Sequence, residues 1–82
     1  MEASYIFNII HNAVESENFG KRISHAKMAN SLGIPMRTYQ DWRIGNSNPL
    51  AVNKAFELLL TLEDEEIMQV IKKLKKLKNR SK

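Results

Sequence analysis

The residues best suited to chemistry crowd into one short stretch, Met36-Arg37-Thr38-Tyr39-Gln40-Asp41-Trp42-Arg43. Placed on a helix, Tyr39 and Trp42 lie three apart and share one face. Met36, Arg37, Gln40 and Asp41 fall on the other. The second set matches the edges of DNA bases in the major groove. Arginine donates twice to guanine O6 and N7, glutamine pairs with adenine N6 and N7, and methionine packs on a thymine methyl. Asp41 has two readings. It can accept from cytosine N4, or, four residues after Arg37, it can pair with that guanidinium and orient it. The second reading is favoured. Other chemistries find little here. Ser24, His25 and Asp41 supply the residue types of a hydrolytic triad, but adjacent Ser24 and His25 on one helical turn do not adopt its geometry. His11 and His25 are the only histidines and there is no cysteine, so no metal site is expected. Gly20, Gly33 and Gly45 form no phosphate loop, and the methionines read as core filler rather than a cofactor box. No enzyme activity and no cofactor are expected.

Helical spacing alone supplies the elements that would hold these residues. Ile6, Ile9, Ile10, Ala13 and Val14 predict a helix from about Ser4, its N-cap, to Val14. A loop follows, with Phe19 tucked beneath it. A second helix starts at Ser24, where Ile23 and Met28 have the spacing of a hydrophobic staple, and ends near Leu32. Gly33 is placed for the left-handed turn after it. The third helix runs from Pro35 or Met36 to about Ile44 and is stopped by Gly45. Met28, Leu32, Ile34, Tyr39 and Trp42 are expected to bury against one another, with Ala29 small where the second and third helices cross. Asn48 and Pro49 read as the cap and first turn of a fourth helix reaching Leu62, with Val52, Ala55, Phe56, Leu59 and Leu60 inward. A fifth covers about 63 to 78. The expected fold is therefore all-α, a single domain of five helices over residues 1–82, with helices two and three forming a helix-turn-helix over about 24–44.

The segment SHAKMANSLGIPMRTYQDWRIGNSNP, with the chain on to Leu60, resembles the lambda-repressor-like, Cro/Xre-type helix-turn-helix family. Ala29, Gly33, Trp42, Gly45 and Pro49 hold the spacings of that pattern, and RTYQDWRIGNSNP is similar to small Xre-type regulators and HigA-type antitoxins. Three positions depart: His25 stands for a first-turn Gln, Pro35 for a Ser or Thr cap, and Arg43 for a Glu. The resemblance implies base reading by Met36, Arg37, Gln40 and Asp41. It also implies phosphate contact at the start of the second helix, by Ser24 and His25. Thr38, Arg43, Asn46, Ser47 and Asn48 are further phosphate candidates, and Lys54 a weaker one.

Composition frames the partner. The chain has 82 residues and a net charge of +4, which suits an anionic partner such as double-stranded DNA. Absence of cysteine fits a reducing cytoplasm, where the protein would join the nucleoid when bound to DNA. Glu2 lies where a signal peptide would be basic, and no apolar run is long enough for a bilayer. Glu63, Asp64, Glu65 and Glu66 precede a basic tail of Lys72, Lys73, Lys75, Lys76, Lys78, Arg80 and Lys82. Such a pattern complements a helix dipole, so a solvated helix end competes with a phosphate-binding tail as its explanation. Between these charges Ile67, Val70, Leu74 and Leu77 form an apolar stripe with Ile71 beside it. It either packs on the first and fourth helices or forms a homodimer interface; family members dimerise through elements after the fourth helix, which favours the second. The expected function is a sequence-specific regulator, an autoregulatory repressor that binds an inverted-repeat operator as a dimer. The alternative is a protein-binding module, such as an antitoxin that neutralises a partner toxin.

Overall fold

A computed structural model describes residues 1–80. Helices α1 (Ala3–Glu17), α2 (His25–Leu32), α3 (Met36–Ile44), α4 (Leu50–Leu59) and α5 (Asp64–Arg80) account for the architecture, with no strand among the described residues. Lys82 of the basic tail lies outside them. The all-α expectation holds, and α3 packs against both α1 and α2 while α4 packs on α1.

Local signals set α2 and α3 as expected. The Ser24 side chain accepts the Lys27 amide at 3.1 Å and caps α2. Ile23 joins Met28 in one apolar cluster, as a staple requires. Gly33 takes φ +71°, and the next amide, that of Ile34, closes on the Ala29 carbonyl at 3.1 Å. Only three residues separate α2 from α3, so the two helices must turn sharply and bury facing sides. Gly45, at φ +87°, ends α3 in the same left-handed way.

The core is centred on Met28, Ala29 and Tyr39, with Phe7, Ile23, Ile34 and Trp42 packed around them. Phe7 stacks on Trp42 with ring centroids 4.8 Å apart and stands edge-on to Tyr39. Leu32 departs from expectation: it sits at the last residue of α2, beyond the reach of this cluster, and is 55% exposed.

α1 departs more. It begins at Ala3, ahead of the expected cap Ser4, which is buried inside the first turn with its hydroxyl directed at Glu2. Its buried side is Ala3, Ser4, Ile6 and His11, with Phe7 beside them. Ile9, Ile10 and Val14, whose spacing predicts the helix, are exposed, and so is Ala13. The reason is long-range: α3 packs on the side of α1 that carries Phe7 and His11, and nothing covers the more apolar side. Phe19 is not tucked under its loop. The Gly20 amide closes on the Glu15 carbonyl at 3.0 Å, which forces Phe19 into a left-handed φ of +59° and leaves its ring 93% exposed.

α4 is shorter than expected. It stops at Leu59, and tighter turns carry the chain through Leu62. Pro49, not Asn48, occupies its cap position. Asn48 Oδ1 instead accepts the Ala3 amide at 3.1 Å and the Asn53 side-chain amide at 2.8 Å, tying the start of α1 to α4. Asn53 is the buried residue of α4; Val52, Phe56 and Leu59 are half-buried, and Ala55 and Leu60 are exposed. α5 has no buried side chain. Its half-buried residues are Ile67 and Val70, and Val70 shares a shallow groove of about 270 Å³ with Ala55, Leu58, Leu59, Thr61 and Leu62.

Candidate nucleic-acid interface

α3 sorts its side chains as its spacing predicts. Tyr39 and Trp42 face the core, while Met36 is 49% exposed at the start of the helix. Arg37 extends into solvent with its Nε 3.8 Å from Asp41 Oδ1, and its side chain is far more exposed than that of Asp41. Asp41 is thus placed to steer Arg37, the favoured of its two readings. Gln40 and Thr38 are half-exposed beside them. The outer face of α3 therefore presents donors and acceptors that make no contact needed by the core.

A buried polar bridge sets where α3 sits. His11 of α1 is 1% exposed. Its Nδ1 lies 2.8 Å from the Tyr39 hydroxyl and its Nε2 3.0 Å from the Ile23 carbonyl. A carbonyl only accepts, so Nε2 carries a proton, and in the neutral ring Nδ1 accepts from Tyr39. Glu15 completes the bridge: its carboxylate takes the Ile23 amide at 2.7 Å and lies 3.3 Å from His11 Nε2. The Ile23 amide, with His11 beside it, holds the Glu15 carboxyl below the usual glutamate range, while burial pushes the Tyr39 phenol up. One imidazole thus joins α1, α3 and the loop leading into α2.

Beside this bridge opens a cleft of about 640 Å³, lined by His11, Asn12, Glu15, Arg22, Ile23, Ser24, His25 and Arg43. It brings together Ser24, His25 and Arg43, which come from two separate segments. Arg43 is held from two sides. Its Nε donates to Asn8 Oδ1 at 2.8 Å, and the Asn8 side-chain amide donates back to the Arg43 carbonyl at 3.1 Å. A terminal nitrogen of Arg43 donates to His25 Nε2 at 3.1 Å, so His25 accepts on an unprotonated Nε2. The cleft therefore sets the Arg43 guanidinium next to the first amides of α2, groups that favour an anion, with the Glu15 carboxylate also on its lining.

Asn46 and Ser47 are exposed in the α3–α4 loop and do not line the cleft, and Asn48 spends its side-chain oxygen on α1 and α4. Lys54 pairs with Glu57 at 3.4 Å. Sequence reasoning missed Arg22, Asn8 and His11. Arg22 had a signal, two residues before the Ser24 cap; the other two are placed by contacts that only the fold creates. Among the described residues no group of His, Cys, Asp and Glu could hold a metal ion, and no helix is long and apolar enough to cross a membrane. No protein-family model, curated protein or solved structure matches this chain.

Proposed function

We propose that the protein is a sequence-specific DNA-binding regulator in which α3 enters the major groove and the start of α2 meets the phosphate backbone. One observation carries the reading: the outer face of α3, with Arg37 steered by Asp41, lies on a helix pinned to the cleft holding Ser24, His25 and Arg43. Reading side chains on a rigid helix, next to a site for anions, is what base recognition needs. Arg37 would take guanine, Gln40 adenine, and Met36 a thymine methyl. Ser24, His25 and Arg43 would take phosphates, with Arg22 added to the set.

One such helix reads only a few base pairs, too few to specify a single genomic site. A homodimer on an inverted repeat, with half-sites about 34–36 Å apart, supplies the remainder. The exposed apolar side chains of α5 support this assembly. Occupying an operator in its own promoter would make the protein an autoregulatory repressor in the cytoplasm. The same exposed side chains favour a second reading, in which α5 holds a toxin encoded next to it; co-purification of that neighbour would show this.

The test is a binding selection on random double-stranded DNA with the wild type, Arg37→Ala and Gln40→Ala. Each substitution should weaken the best site by about 1–3 kcal/mol and flatten base preference at one position. Identical preferred sequences for all three proteins would reject α3 as the reader.

A further inference from the structure

Two apolar faces of this chain lack a cover, and their charges are opposite. On α1, Tyr5 is 60%, Ile9 69%, Ile10 43% and Val14 38% exposed. On α5, Met68 is 58%, Ile71 39% and Leu74 52% exposed. Isolated exposed apolar side chains are ordinary, but two continuous helical faces on so small a chain are not. Helix α1 carries Glu15 and Glu17 near its end and no lysine or arginine. The second half of α5 carries Lys72, Lys73, Lys75, Lys76, Lys78 and Arg80. Within one copy α1 packs on α3 and α4 and shares no extensive contact with α5.

We propose that two copies exchange these faces: α5 of each lies along the outer face of the partner's α1. Ile71 and Leu74 of the partner subunit then pack on Ile9, Ile10 and Val14, and the partner's basic half-helix lies beside Glu15 and Glu17. A two-fold axis makes the contact twice, so both exposed faces of both copies are covered. Direct pairing of α5 with α5 would instead leave the α1 face bare. The inference deepens the dimeric reading above and names the surface that completes it.

The chain has no cysteine, so single cysteines report the contact directly. Ile9→Cys chains and mass-tagged Leu74→Cys chains are mixed, allowed to exchange and oxidised without DNA. Both sites are exposed, and thermal melts of the variants confirm that they fold. A mixed disulfide several-fold more abundant than either self-linked product is expected, because bridged cysteines need Cα atoms within about 7 Å. Leu74→Cys chains linked chiefly to themselves, no cross-link at all, or a chain carrying both cysteines that closes on itself as a monomer would each overturn the exchange. With no DNA present, a failed cross-link leaves α3 standing as the reader, and a failed DNA selection leaves the cross-link result intact.

Discussion

Helices α1 and α5 both read as amphipathic, yet the structure treats them oppositely. α1 buries the side that carries a histidine and leaves Ile9, Ile10 and Val14 outside; α5 buries no side chain at all. The stretch from α1 to α3 is held by interlocking specific contacts: His11 to Tyr39 and Ile23, Phe7 on Trp42, and Asn8 to Arg43. α5 has a stripe and a charge gradient but few partners. Hydrophobicity alone therefore did not decide what was buried. Complementary shape and satisfied polar groups did, and the surplus apolar surface of α1 and α5 stays exposed.

The contrast is sharpest in paired substitutions. His11→Ala removes one side chain and strands the Tyr39 hydroxyl and the Ile23 carbonyl, so it should cost about 2–4 kcal/mol and lower the melting temperature steeply. Leu74→Asp should leave the melting temperature of the monomer nearly unchanged while abolishing dimers in light scattering and weakening operator binding. Equal melting losses for the two variants would erase the distinction between body and assembly surface and put Leu74 in the core.

A smaller effect of opposite sign is expected at Phe19. Left-handed φ costs a non-glycine residue about 1–2 kcal/mol, and glycine repays part of that through its greater freedom when unfolded. Phe19→Gly should therefore raise the melting temperature, by about 2–6 °C for a domain of this size. An unchanged or lower value would mean that the ring makes a stabilising contact.

Acid should loosen the body by way of Glu15. Its carboxyl, held below the usual range first by the Ile23 amide and then by His11, stabilises the fold at pH values above its ordinary glutamate range. That contribution fades as pH falls through the lowered folded value. Glu15→Gln should thus melt earlier than the wild type at neutral pH, and the gap should close in acid. A gap independent of pH would show that charge is not what Glu15 contributes.

The smallest change is expected in the tail. Ending the chain after Leu77 removes exposed cations at the far end of α5, beyond the contact with α1 proposed for Ile71 and Leu74. The slope of log K against log salt should stay put; a fall of about one unit per lost contact would place the tail on phosphates instead.

The parts legible in the sequence are those governed by short-range rules. The Ser24 cap, the left-handed turns at Gly33 and Gly45, and the two faces of α3 each depend on residues within a few positions, so spacing was enough to find them. Ser24, His25 and Arg43 could be named from sequence, but not their meeting in one cleft with Arg22, nor the grip of Asn8 on Arg43. Tertiary structure alone decided the rest. Which side of α1 turns inward depends on where α3 packs, and that placement rewards a histidine able to satisfy a tyrosine and a carbonyl at once over a more apolar neighbour that would leave both unpaired. Asn48 shows the same limit: local pattern makes it a helix cap, and only the approach of α1 turns its oxygen to the Ala3 amide. Periodicity reports that a helix has an apolar side; whether anything covers it is a long-range fact, and within one copy the fold leaves Ile9, Ile10 and Val14 of α1 and Met68, Ile71 and Leu74 of α5 exposed.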